Sequence, residues 1–323
     1  MANTLLNAVK DLRNDSLREI VSASAFTGEI ILGFQGSNYG YASGGGANPG
    51  LPFYDVIDRF PFASLGNATD VGNLTVGRYD CSGQSSETHG YTSCGTNPGV
   101  GSALDIIDKF PFASGFTTAT DVGNMSAVKN KVAGQSSIPN GYGYNTGGGN
   151  AIDKFTFASD GNSSQRGTTL TSRSWVTGQS STTHGYTSGN YPPSTVIDKF
   201  PFASDDNATD VGDLSVSRGI LTGQSSTESG YTSGGYPNGT STVIDKFPFT
   251  SDANATDVGD LSTGRHGATG QSSTTHGYTS GGHGPGSYNP SNVMDKFSFS
   301  TDGNATDVGD LTVARFYGTG QQY

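Results

Sequence analysis

Val243-Ile244-Asp245-Lys246-Phe247-Pro248-Phe249, then Asn254-Ala255-Thr256-Asp257-Val258-Gly259-Asp260-Leu261, then Gly270-Gln271-Ser272-Ser273 and Gly277-Tyr278-Thr279-Ser280-Gly281, form one sentence that the chain writes repeatedly. The first phrase recurs as Val56–Phe62 (with Arg59 for the lysine), Ile106–Phe112, Ala151–Phe157, Val196–Phe202 and Val293–Phe299. The second recurs as Ala68–Leu74, Ala119–Met125, Ala208–Leu214 and Ala305–Leu311, and has diverged to Ser163–Leu170 in the third copy. The third begins at Gly83, Gly134, Gly178, Gly223 and Gly270. The aspartates of the first phrase, Asp58, Asp108, Asp153, Asp198, Asp245 and Asp295, stand 50, 45, 45, 47 and 50 residues apart, which defines six units.

Each unit reads as four short strands. Taking the best-preserved wording, strand A is Gly267–Ser273, strand B His276–Gly282, strand C Val243–Phe247 and strand D Thr256–Leu261, with a polar turn such as Ser251–Asn254 between C and D. Four antiparallel strands at a period of about 40–50 residues mark a β-propeller blade. A lone blade cannot bury both faces of its sheet, so neighbours must stack in a ring, with the recurring Phe and Tyr of strands B and C filling the space between them. The predicted fold is therefore all-β, a six-bladed propeller of four-stranded antiparallel blades over residues 34–323, with blade boundaries near 83, 134, 178, 223 and 270. An open ring would leave strand edges unpaired. Gly318–Tyr323 repeats the strand A wording of a seventh unit, and is expected to fold back as the innermost strand of blade 1, whose strand B is Asn38–Gly45; Glu29–Gln35 competes for that slot.

Composition agrees. Of 323 residues 49 are glycine and only 32% are hydrophobic, too few for a long helical protein, while 17 Phe and 15 Tyr supply apolar area. A net charge of −11 argues against nucleic acid as a partner, which needs a basic stripe. No segment approaches the roughly 18–20 apolar residues that span a bilayer, so no membrane insertion is expected. Residues 1–21 lack a signal peptide's order of charge, apolar block and small-residue site, which predicts synthesis in a cytoplasm without Sec export. Segment 1–33 differs from the repeats: Leu5, Leu6, Val9, Leu12, Leu17, Ile20 and Val21 fall at near-helical spacing, which predicts a short helix outside the ring, either packed on its side or serving as an attachment segment.

The order Leu-x-x-x-Arg, Gly-rich strand, Tyr-x-x-Gly-Gly, then a strand ending in aromatics resembles the kelch repeat. It is clearest in Leu214–Gly235 and Leu261–Gly282, with Arg218 and Arg265 in the arginine slot, and covers about Gly33 to Tyr323. The wording Ile-Asp-Lys-Phe-Pro-Phe and Asn-Ala-Thr-Asp-Val-Gly-Asp-Leu is similar to that of repeat proteins of marine tailed phages, including those of cyanobacteria. That resemblance implies a virion protein assembled in the host bacterial cytoplasm. Such a protein would be a tail-fibre or appendage component, or a capsid-displayed propeller, joined to other virion proteins through its N-terminal segment. It implies recognition of a host-surface glycan or protein, with a purely structural virion role as the alternative, and leaves homo-oligomerisation open.

The six copies can be compared with one another. In an up-down blade the A–B and C–D turns emerge on one face of the ring and the B–C and D–A connections on the other. The A–B and C–D turns barely vary. The B–C connections range from Thr146–Asn150 to Gly44–Tyr54, Gly95–Ala103 and Gly281–Asn292, and carry Phe53, Tyr54, Tyr191, Tyr236, His283 and Tyr288. The D–A segments read Tyr79-Asp80-Cys81, Asn130-Lys131-Val132, Ser174-Trp175-Val176, Gly219-Ile220-Leu221, His266-Gly267-Ala268 and Phe316-Tyr317. Diverged aromatic loops on a rigid frame are what a binding surface needs, so Phe53, Tyr54, Trp175, Tyr191, Tyr236, His283 and Tyr288 are the expected ligand- or receptor-binding residues; neutral loop drift is the competing explanation.

Catalytic chemistry is not expected; the second alternative to a binding role, a glycan-cleaving enzyme, would need paired carboxylates in a central pocket. His89, His184 and His276 fill one slot of the A–B turn in blades 2, 4 and 6, as a repeated turn residue does, and no Ser-His-Asp grouping can be assembled. The carboxylates recur alike in every blade, as scaffold residues do; Asp58 and Asp245, with Arg78 and Arg265, are expected to form structural hydrogen bonds. Asp205-x-Asn207-x-x-Asp210-x-x-Asp213, repeated at 252–260 and 302–310, has the oxygen density of a calcium loop but not the Gly and distal Glu of an EF-hand, and also matches an Asx-turn. No cofactor or metal site is otherwise expected. Cys81 and Cys94 replace consensus residues in the A–B hairpin of blade 2, within reach of a disulfide if the turn centres on Glu87–Thr88.

Overall fold

The computed structural model describes residues 35–47, 52–100, 103–112, 116–237, 240–286 and 289–323. The helix expected within 1–33, most of the competing strand at 29–35, and Tyr288 lie outside the described residues.

Six four-stranded antiparallel sheets form a six-bladed β-propeller. Blade 5 shows how the sequence makes one. Inner strand Thr222–Ser225 pairs with Ser229–Ser233, then Val243–Pro248, then Thr256–Asp260. Side chains alternate between the faces of a strand, yet Ile244, Asp245 and Phe247 are all buried, because neighbouring blades cover both faces of the sheet. Gly230 lies across from Phe247, and a Cβ there would sit 2.3 Å from the phenyl Cζ, so the glycine of the His/Ser-Gly-Tyr phrase makes room for the aromatic of its own blade.

The filling between blades repeats with the sequence. Tyr231, Ile244 and Leu261 of blade 5 pack against Phe297 and Ala305 of blade 6. Each strand B tyrosine (Tyr41, Tyr91, Tyr144, Tyr186, Tyr231, Tyr278) faces the second phenylalanine of the next blade's Phe-x-Phe, with ring centroids 4.8–5.0 Å apart. Such pairs contribute about 0.5–1.5 kcal/mol beyond area burial.

A buried ion pair crosses every interface from the end of one strand D to the next strand C: Arg78–Asp108 at 3.0 Å, Lys129–Asp153 at 2.5 Å, Arg218–Asp245 at 2.6 Å, and likewise Arg173–Asp198, Arg265–Asp295 and Arg315–Asp58. Five of the six aspartates also accept from a nearby hydroxyl, as from Ser215 Oγ to Asp245 and from Thr312 Oγ1 to Asp58, which satisfies those buried carboxylates; in Asp198 the Oδ1 has no hydrogen bond among the described residues. Closer to the axis, the strand A glutamines donate from Nε2 to the strand B tyrosine carbonyl of the following blade at 2.9–3.1 Å, for example Gln179 to Tyr231 and Gln321 to Tyr91. The inner glycines Gly83, Gly134, Gly178, Gly223, Gly270 and Gly320 come so close that a Cβ on any of them would lie 1.9–2.3 Å from a neighbouring glycine's carbonyl oxygen.

Ring closure uses the chain's last residues. Thr319–Gln322 pairs with Tyr39–Ser43 as the inner strand of blade 1, with Gly40 opposite Gln322 and Ser43 opposite Thr319. Gln35 and Gly36 lie elsewhere, at the ends of inner strands: Gln35 Nε2 donates to the Ser225 carbonyl at 3.0 Å and the Gly36 amide to the Ser272 carbonyl at 2.9 Å. The described chain therefore begins near the axis on the face of the A–B turns.

Removing one partner of a buried pair strands the other charge. Asp245→Ala should cost about 3–5 kcal/mol in urea unfolding. Arg218→Lys should cost much less, since Lys129 fills that slot naturally between blades 2 and 3; equal losses would show that the pair's charge is not what the interface needs.

Candidate functional site

After each strand D arginine or lysine, three residues lead to the next inner strand. The middle one lies at the axis in the left-handed region in all six blades: Asp80 (φ 57°), Lys131 (59°), Trp175 (50°), Ile220 (57°), Gly267 (63°) and Tyr317 (55°). This conformation aims each residue's amide and carbonyl along the circumference. The result is a closed circle of backbone hydrogen bonds: Asp80 N–H to Tyr317 O at 2.8 Å, Lys131 to Asp80 at 3.0 Å, Trp175 to Lys131 at 2.9 Å, Ile220 to Trp175 at 2.9 Å, Gly267 to Ile220 at 3.0 Å, and Tyr317 to Gly267 at 2.6 Å.

Glycine occupies this conformation without penalty, and blade 6 uses it at Gly267. A residue with a Cβ pays on the order of 1–2 kcal/mol there, least for Asp and most for a β-branched residue such as Ile220. Five blades carry that cost, each with a different side chain. These side chains surround the mouth of an axial pocket that is open to solvent and has a cavity volume of about 110 Å³. Below them the wall is made by the inner strands, with Val132, Val176, Leu221 and Thr319 among the lining residues.

The mouth has two unlike halves. On one, Trp175 Nε1 donates to Asp80 Oδ1 at 3.3 Å and Lys131 Nζ sits 4.0 Å from the centre of the indole ring. Burial pushes the Asp80 carboxyl up to about 7, against the opposing pull of the Trp175 hydrogen bond and the Lys131 charge. On the other half are Ile220, Gly267 and the ring of Tyr317, whose Cδ1 and Cε1 occupy the space a Cβ on Gly267 would need.

Outside the mouth runs an unbroken arc of aromatic rings. Trp175 meets Tyr191 edge-on at 5.2 Å, Tyr191 meets Tyr236 at 6.0 Å, Tyr236 meets His266 at 5.7 Å, and His266 stacks on His283 at 4.9 Å. His283 stacks on Phe316 at 3.7 Å and Phe316 meets Tyr317 at 5.0 Å; Tyr317 reaches Tyr79 at 6.4 Å, and Tyr79 stacks on Phe53 at 5.4 Å. The arc covers the blade 4, 5, 6 and 1 side of the face. The remaining sector, at blades 2 and 3, is polar: Asn130 Nδ2 donates to Thr96 Oγ1 and Asn97 Nδ2 to the Gly77 carbonyl. Burial and the neighbouring His266 push the His283 imidazole down to about 4, so it is neutral at ordinary pH.

Of the expected site residues, Trp175, Tyr191, Tyr236, His283 and Phe53 thus join one arc; Tyr54 is half-buried beside it and is not one of its links. Asp80, Lys131, Ile220 and Tyr317 complete the mouth, and were not singled out from the sequence although each sits in a diverged D–A triplet. The one sequence signal for the slot is Gly267, a glycine where the other copies have side chains.

The remaining candidates serve the frame. His89, His184 and His276 each bond through Nδ1 to the preceding threonine hydroxyl at 2.7–2.8 Å in the A–B turn. In the Asp-x-Asn turns the asparagine oxygen accepts from the strand D amide of the preceding blade, as Asn254 does from Asp213 and Asn304 from Asp260, both at 3.0 Å. Asp210, Asp257 and Asp307 accept from the glycine amide two residues on, as Asx-turns do. Among the described residues no group of three or more His, Cys, Asp or Glu is placed to hold a metal ion. Cys81 and Cys94 are both free and buried. Cys94, at φ 59°, packs with Met125, Val132 and Phe155 between blades 2 and 3, whereas the Cys81 sulfur lies on the side of Gly44 in blade 1.

No protein-family model matches the chain, and no curated protein matches it either.

Because the Asp80 carboxyl is raised from 3.8 to about 7 in the folded state, the unfolded chain releases this proton first, and folding stability falls as pH rises through that window. His283, lowered from 6.5 to about 4, acts oppositely: its contribution is complete above 6.5 and is lost as pH falls towards 4. Asp80→Asn keeps an oxygen for Trp175 and removes only the first effect. The difference in Tm between variant and parent should therefore grow in the variant's favour from pH 4 to pH 7.5, by the equivalent of a few kcal/mol. A difference independent of pH would contradict this.

Proposed function

We propose that this propeller is a kelch-like, non-enzymatic binding head of a phage virion, in a tail fibre or appendage or displayed on the capsid. It takes a host-surface glycan or protein on the face of the B–C and D–A connections and joins other virion proteins through its N-terminal segment. The observation that carries this reading is the axial circle. Five of six equivalent positions keep a distinct side chain in a backbone conformation that favours glycine, and the sixth shows that glycine is compatible with the fold. Side chains retained at a cost in stability are what a function at that place would select.

Two further observations support it. The aromatic arc gives that face rigid, amphipathic contact area of the kind found at binding hot spots. Gln35 and Gly36 sit at the opposite end of the axis, on the face of the invariant turns. The virion setting rests on the wording of the repeats.

The test uses the fluorescently labelled full chain on a panel of marine cyanobacterial cells. Binding to a subset of strains is expected; Trp175→Ala should lower it at least tenfold, while Asp252→Ala, on the face of the invariant turns, should leave it unchanged. Equal loss in both variants, or no binding to any strain, would overturn the reading.

A further inference from the structure

The mouth of the axial pocket is narrower in chemistry than the face around it. Its polar half holds one acid and one base, Asp80 and Lys131, on either side of the Trp175 indole. Asp80 is only 7% exposed, and the one hydrogen bond of its carboxyl group among the described residues is that from Trp175 to Oδ1. Its second oxygen, Oδ2, makes no hydrogen bond among the described residues, and the residue lines the pocket. An oxygen in that position can accept a hydrogen bond from a ligand in the pocket. The opposite half presents Ile220 and Tyr317, whose ring lies against Gly267.

Three ligand classes can be weighed against this arrangement. A cation would seek the indole face, but Lys131 already lies over it at 4.0 Å and would repel a second positive charge. An anion would meet Asp80 inside and, at longer range, a chain of net charge −11. An uncharged ring with an apolar face and a rim of hydroxyls meets neither objection: its hydroxyls can donate to Asp80 and accept from Lys131, and its C–H face can lie on Tyr317 and Ile220. A few polar groups converging on one side of a concavity, against apolar side chains on the other, are what fix the orientation of a small ligand.

We propose that the axial mouth is the primary subsite of the variable face and takes one uncharged pyranose, the terminal residue of a surface glycan, between the Asp80/Lys131 pair and the Tyr317/Ile220 wall. This deepens the binding-head reading and rests on it. The aromatic arc would then carry the sugars that follow, and the polar sector at blades 2 and 3 leaves one side of the mouth without aromatic cover.

Trp175 is the chain's single tryptophan, so its fluorescence reports on the mouth without labelling. Titrating the full chain with galactose, glucose, mannose and fucose should give a saturable change with at least one of them, at a Kd on the order of 1 mM, and none with sialic acid or glucosamine. Tyr317→Ala, which leaves Trp175, Asp80 and Lys131 in place, should weaken that response at least tenfold. Ile220→Gly, which relieves the left-handed strain, should weaken it while the protein stays folded. In parallel, periodate treatment of target cells should abolish binding of the full chain and protease treatment should spare it. No fluorescence response to any neutral sugar, or binding that survives periodate and is lost to protease, would overturn the sugar assignment. In the second case Trp175→Ala would still abolish cell binding, so the binding-head reading would stand without it. A response to sialic acid or glucosamine equal to that of the neutral sugars would equally overturn it.

Discussion

A four-stranded sheet with two apolar faces is stable only while both faces are covered, and every other feature of this chain follows from that need. Each blade is covered by its neighbours, so stability belongs to the six interfaces and not to the blades. The interfaces are built in depth. Rings of glycine and glutamine pack at the axis, Tyr–Phe stacks fill the middle, and an ion pair locks the end of each strand D to the next strand C. Because every interface must be made for any one to be complete, the first and last units have to meet. The strand Thr319–Gln322 does this by supplying blade 1 with an inner strand from the far end of the chain.

That dependence explains what the repeats made readable. The four strands of a blade, the aromatic filling and the C-terminal closing strand all leave a periodic trace, since each interface imposes the same demands on the same positions. Asp245 and Arg218 could be recognised as scaffold because their counterparts recur in the other blades. Lys129 in place of arginine shows that the interface needs a buried cation on a long stem more than it needs a guanidinium.

What the repeats hid is conformational. Asp80, Lys131, Ile220 and Tyr317 share no residue type, so aligning them shows only divergence; their kinship is a backbone angle, and Gly267 alone hints at it. Cys94 illustrates the same limit. Register alone places it across the hairpin from Cys81, but a left-handed φ takes it into the blade 2–3 interface, away from the side on which the Cys81 sulfur lies. The aromatic arc also depends on contacts between blades, such as Tyr236 on His266, that no single unit's sequence contains.

A closed backbone circle at the axis is the feature on which both the frame and the candidate site depend, and amide hydrogen exchange reads it directly. The amides of Asp80, Lys131, Trp175, Ile220, Gly267 and Tyr317 should exchange together, at the rate of global unfolding, because breaking one bond of the circle requires opening the ring. Six amides exchanging at separate, blade-specific rates, or fast exchange confined to Asp80 and Tyr317 where the ends of the chain meet, would contradict a closed ring.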